Sequence, residues 1–147
     1  MNFPPNKQPR MFLKVNTLLI IIFVLTGSTV ARNFTFRDNV SFWGDIVAKN
    51  PTKPRGYDSL GLAYTDKGEL QTALALYEKA IALYLAQGGP REGLYNAYVN
   101  RGTVFERQGE YSTAIESYNS AISLLPDHAE AYNNRGVAYG YRNETEK

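Results

Sequence analysis

From residue 54 onward, apolar side chains recur at three- and four-residue intervals, the period that puts one stripe on a helix. Three stretches superpose: Tyr57, Gly61 and Tyr64; then Tyr98, Gly102 and Phe105; then Tyr132, Gly136 and Tyr139. The first is followed by Gly68, Ala73, Tyr77 and Ala80, and the second by Gly109, Ala114, Tyr118, Ala121 and Pro126. Glycine and alanine at fixed slots remove bulk where two antiparallel helices cross closely. Aromatic residues then fill the holes between hairpins. Gly68 and Gly109 permit the left-handed turn that ends a first helix, and Pro126 cannot continue one. The pattern predicts an all-α fold of antiparallel helix pairs over 54–142, with breaks near Gly68, Gly88–Pro90, Gly109 and Pro126. Seven of the eleven tyrosines (57, 64, 77, 98, 118, 132, 139) fall on these slots and are expected to pack.

Ahead of the periodic region stands a different signal. Residues 15–31 carry no charge and lie between Lys14 and Arg32. That length sits at the lower limit for a transmembrane helix, which needs roughly 17–25 residues. Lys7, Arg10 and Lys14 in front of it orient a basic N-terminus, residues 1–14, to the cytoplasm and the remainder outward, into a periplasm or lumen. The alternative is a cleaved signal helix, for which Thr29, Val30 and Ala31 offer small residues at a processing site. Either way the body is expected outside the cytoplasm.

Gly102 and Gly136 are 34 residues apart, and with the glycine, alanine and aromatic slots around them the chain resembles the tetratricopeptide repeat family. The resemblance implies a helical-hairpin solenoid of about 2.5 repeats over 54–142, assigned to 54–87, 95–128 and a partial 129–142. Gly61 to Gly102 is 41 residues, seven beyond one period, so either a second helix runs longer or a Gly88–Gly89–Pro90 loop bulges. Arg101 and Arg135 stand where leucine is usual, their stems expected to cover the core edge while the guanidinium reaches water. Residues 38–53 read as a half-repeat capping helix, with Trp43 as its anchor and Pro51 at the terminal proline slot.

In tetratricopeptide arrays the first helices line a concave groove, which implies a protein or peptide partner. Carried onto this chain, the groove-facing turns are Arg55, Asp58, Leu62, Thr65 and Asp66 in the first hairpin. The second contributes Asn96, Val99, Thr103, Glu106 and Arg107, and the third Glu130, Asn133, Val137 and Tyr141. A two-carboxylate clamp is not expected, because Asp58 and Leu62 occupy slots that would need lysine and asparagine.

A second resemblance is shorter. Arg32 and Asn33, then Trp43, Asp45 and Pro51, resemble the junction of polytopic membrane glycosyltransferases, where a last transmembrane helix runs into tetratricopeptide repeats. It covers roughly residues 18–60. The catalytic acidic residues of such enzymes sit in early loops between transmembrane helices, which have no counterpart here. The resemblance implies descent or truncation from such an enzyme's C-terminal tail, inactive alone.

Composition narrows the chemistry. Cysteine is absent, which excludes disulfides and thiolate sites. His128 is the single histidine, leaving histidine-based metal or relay chemistry unsupported. Before Asp38 there are 5 basic and no acidic residues; from Asp38 onward 11 basic face 14 acidic, so the body is mildly acidic and carries no nucleic-acid signature. Acidic pairs such as Glu106 and Glu110 suit a solvated face, and Gly88–Gly89 lacks the Lys-Ser/Thr of a phosphate loop. Asn33, Asn39 and Asn143 begin glycosylation sequons. No enzyme activity and no cofactor is expected. A membrane-tethered binding module is favoured over a severed enzyme tail, and the sequence is silent on oligomeric state.

Overall fold

The computed structural model describes residues 39–145, all of whose regular structure is helical. The expected membrane or signal helix at 15–31 and the basic segment 1–14 lie outside the described residues. Among those described, no helix is long and apolar enough to cross a membrane.

Helix α1 covers 39–49. Helices α2 (Pro54–Lys67) and α3 (Leu70–Gln87) form one antiparallel hairpin, α4 (Arg91–Arg107) and α5 (Tyr111–Leu124) a second, and α6 (Ala129–Thr145) follows. Both hairpin turns are built the same way. Gly68 has φ +84° and donates its N–H to the Thr65 carbonyl at 3.1 Å, while Glu69 N–H reaches the Tyr64 carbonyl at 2.9 Å. Gly109 has φ +78°, with matching bonds from Gly109 to Glu106 at 3.0 Å and from Glu110 to Phe105 at 2.9 Å. A side chain at either left-handed position would strain the turn.

Within each hairpin a tyrosine of the second helix lies on a bare glycine of the first. A methyl group on Gly61 would meet the Tyr77 ring at 2.8 Å, and one on Gly102 the Tyr118 ring at 2.5 Å. Ala73, Ala80, Ala114 and Ala121 are wholly buried beside these contacts. Val104 of α4 packs on Ala73, Leu74 and Tyr77 of the preceding hairpin. Tyr95 and Val99 of α4 join Ala114, Ile115, Tyr118 and Ala121 of α5 with Ala131 and Ala138 of α6. The core is therefore a row of clusters running from pair to pair, as stacked repeats require.

The seven surplus residues are helical. Helix α3 has 18 residues against 14 in α5, and α4 has 17 against 14 in α2, so each gains about one turn. Only Gly88, Gly89 and Pro90 separate them, with Gly88 left-handed at φ +60°. The added turn of α3 brings Tyr84 into the core at 5% exposed, and directly after the added turn of α4 Tyr95 is 1% exposed; both lie off the glycine, alanine and aromatic slots. Tyr95 also accepts the Ala131 N–H at 3.2 Å, capping the start of α6, with the His128 ring 4.9 Å away.

One expectation about packing is corrected. Tyr132 and Tyr139 are 41% and 37% exposed, because among the described residues no second helix covers α6; a methyl on Gly136 would meet nothing within 4 Å. The guanidinium of Arg101 also has protein partners: its Nε donates to Ser117 Oγ at 3.2 Å and the group lies 5.2 Å from the Tyr98 ring centre. Arg135 repeats the device, over Tyr132 at 5.3 Å and donating to Asn119 at 2.6 Å. At the N-terminal end, Ile46 and Val47 of α1 lie against Gly56, where an added methyl would stand 3.6 and 3.2 Å from their side chains. Trp43 is half-buried, in edge contact with Phe42.

Candidate functional site

Helices α2 and α4 are the first helices of the two hairpins and α6 stacks after them, and side-chain bonds bridge α2 to α4 at two levels. Asn100 Nδ2 donates to one Asp58 oxygen at 3.2 Å, and Arg107 Nη1 donates to the Thr65 carbonyl at 3.0 Å. These bonds hold the two helices at a fixed spacing, so a surface shared between them is formed before any ligand arrives.

Two of the expected groove residues do not reach that surface. Thr65 is 4% exposed: its hydroxyl donates to the Gly61 carbonyl at 2.9 Å and lies 3.1 Å from the Tyr77 hydroxyl. Val99 is 3% exposed, within the cluster shared by α4, α5 and α6. Both are corrections with one cause. A stripe on a first helix is divided between the open face and the sides taken by its own second helix and the next hairpin. Glu106 is half-buried for a related reason, accepting the Tyr118 hydroxyl at 2.9 Å.

The remaining positions stay open to differing degrees. Arg55, Leu62, Asp66, Asn96, Arg107, Glu130, Asn133 and Val137 are exposed, and Asp58 and Thr103 are half-buried. Tyr141 is exposed but stacks on Tyr111 of α5, with ring centres 5.5 Å apart, so it leans toward the hairpin turn.

Arg55, Asp58 and Asn96 meet in one place. With Ser59, Tyr84, Pro90 and Gly93 they line a hollow of about 400 Å³ between the start of α2 and the added turn of α4. Its wall includes Tyr84, whose ring fills the space above the bare Gly93, where a methyl would fall 2.5 Å from it. Burial pushes the Asp58 carboxyl above its ordinary range, opposed by the Asn100 hydrogen bond and the nearby Arg55 charge. Burial likewise raises the Tyr84 phenol, and the Asp58 charge adds to the effect. Tyr84, Pro90 and Gly93 were not singled out from sequence as site residues. The visible signal was the seven-residue surplus itself.

Among the described residues no group of histidine, aspartate or glutamate side chains is arranged to hold a metal ion. The open surface offers hydrogen-bond donors and acceptors, both charge signs and the apolar Leu62 and Val137, a mixture suited to binding.

The tetratricopeptide repeat family model matches residues 55–127. The photosystem I assembly protein Ycf3 of Acaryochloris marina is 30% identical over 110 residues, covering 71% of this chain and 64% of that protein. The protein O-mannosyl-transferase Tmtc3 of Drosophila melanogaster is 25% identical over 109 residues, covering 74% of this chain and 11% of that protein. The chain thus spans less than two thirds of either relative. The first TPR domain of human RPAP3 superposes with a TM-score of 0.69 at 17% identity, covering 86% of this chain and 94% of that domain, a likeness of fold.

Proposed function

We propose that this chain, whose residues 55–127 match the tetratricopeptide repeat family model, is a protein-interaction module whose open first-helix face binds an extended segment of a partner. The observation that carries the reading is the α2–α4 bridging by Asn100 and Arg107, which leaves Arg55, Leu62, Asp66 and Asn96 presented on a preformed ledge. Similarity to a photosystem I assembly protein supports a role in holding protein partners. A ledge of this size, with charged and apolar groups interspersed, suits a roughly micromolar affinity. The test compares Leu62→Asp with Asp66→Arg against Glu78→Arg with Glu116→Arg on the outer helices. The reading expects the first pair to abolish partner capture from host membranes with the helical content unchanged. Loss of capture by the outer pair alone contradicts it.

The second part of the proposal is tethering. The uncharged run 15–31 behind three basic residues supports an anchor with the repeats on the far side of the membrane. An alkaline phosphatase fusion after Lys53 is expected to be active; an inactive fusion, alongside an active cytoplasmic reporter at the same site, contradicts this topology.

Similarity to the mannosyl-transferase supports a second reading, in which this chain is a truncated C-terminal tail of a polytopic glycosyltransferase, inactive alone. The host sequence upstream of the chain's gene distinguishes the two. A reading frame there that encodes many hydrophobic spans supports the second reading, and none there supports the first.

A further inference from the structure

The added turns of α3 and α4 create a feature that a 34-residue repeat lacks. They place Tyr84 and Gly93, with Pro90 between them and Asn96 just beyond, opposite Arg55, Asp58 and Ser59 of α2, lining the hollow of about 400 Å³. Resting on the reading of the open face as a peptide-binding surface, we propose that this hollow is a side-chain pocket selecting a carboxamide, a glutamine of the partner segment.

The chemistry of the walls decides among side chains. Arg55 makes no hydrogen bond or ion pair among the described residues, so its guanidinium is available to a carbonyl oxygen. One oxygen of Asp58 accepts from Asn100 at 3.2 Å, and the other has no donor among the described residues. The pocket therefore presents one charged donor and one charged acceptor, with the neutral Asn96 and Ser59 offering further donors and acceptors. One guanidinium and one carboxylate leave it without net charge.

A primary amide satisfies both groups at once, its oxygen toward Arg55 and its NH₂ toward Asp58. An ammonium group gains Asp58 but meets the Arg55 charge, and a carboxylate meets the reverse conflict. An aliphatic side chain displaces water from both charged groups and returns no hydrogen bond, which is costly. Glutamine has the further advantage of two methylenes to lay along the Tyr84 ring and Pro90, and the volume leaves room for a bridging water. The upward displacement of the Asp58 carboxyl by burial agrees with an acceptor short of donors.

The test uses the purified full chain in detergent micelles against a library of random nonapeptides. Arg55→Ala and Asn96→Ala are the variants, because both positions are exposed and their loss leaves the core intact. The expected result is glutamine enriched roughly ten-fold over glutamate, lysine and leucine at one peptide position, the worth of one hydrogen bond to a charged group. That preference should vanish in both variants, while their helical content stays that of the parent chain. Selected peptides without a glutamine preference, or a preference unchanged in both variants, overturn the pocket and leave the peptide-binding face standing. Failure of the chain to select any peptide overturns both.

Discussion

Gly102 and Gly136 fill the same slot of successive hairpins, yet they answer oppositely to a methyl group. At Gly102 the new carbon would meet the Tyr118 ring at 2.5 Å, and at Gly136 it would meet nothing within 4 Å. Gly102→Ala is therefore expected to cost about 1–3 kcal/mol through overpacking. Gly136→Ala should gain about 0.5–1 kcal/mol by removing backbone freedom from the unfolded chain. Urea unfolding followed by circular dichroism reads both, and equal shifts would mean the slots are not packed as described. Asp58 makes a prediction about pH. Its carboxyl is held above the ordinary value of 3.8, chiefly by burial. The native state thus binds the proton more tightly than the unfolded chain, so the charge costs stability above the folded pKa. That cost fades as pH falls through it toward 3.8. Asp58→Asn should be more stable than the parent at neutral pH, and the difference should shrink on acidification; a difference independent of pH contradicts this. The slots at Gly61, Gly102, Tyr77 and Tyr118 were legible because each recurs with fixed neighbours. Tyr84 was not, because it sits on a turn with no counterpart in another repeat, and Tyr95 was not, because the matching positions hold Pro54 and Ala129.

The added turns show what an element-level reading of sequence leaves open. A Gly88–Gly89–Pro90 run marks a break but does not say whether the seven extra residues lie in helix or loop. Here the tertiary contacts decide. Tyr84 extends α3 by packing over Gly93, and Tyr95 extends α4 by entering the next cluster and capping α6 through the Ala131 N–H. Tyr84→Ala should accordingly cost about 3 kcal/mol or more, as large-to-small changes in aromatic core positions do. Tyr84→Phe keeps the ring, and should cost no more than about 1 kcal/mol. Thermal melts of the two variants check this, and near-equal losses would place the effect in the hydroxyl rather than the ring. The same element scale explains Arg101 and Arg135. Their place at leucine slots was visible in the sequence, but not the tyrosine one turn earlier as the partner of each guanidinium.

At the scale of the whole molecule, sequence periodicity marked the helix pairs, and the resemblance to tetratricopeptide repeats implied that the first helix of each lies near the open face. It did not separate the face from the flanks. Val99 and Thr65 share the helical stripe with Leu62 and Thr103, yet α5 and α6 close over one, and Tyr77 and Arg107 engage the other. That division depends on how neighbouring hairpins stack, and a single helix carries no record of it. What remains open is a bridged ledge over α2 and α4, continuing onto α6 through Glu130, Asn133 and Val137. The central claim is that this ledge, and not the outer helices, meets the partner. The most direct measurement places a photo-crosslinking phenylalanine analogue at Leu62 or Thr103, and at Glu78 or Glu116 as outer positions, in the full chain expressed in its host cells. Covalent adducts with a protein partner from Leu62 and Thr103, and none from Glu78 and Glu116, are the expected result; adducts confined to Glu78 and Glu116 would contradict the account.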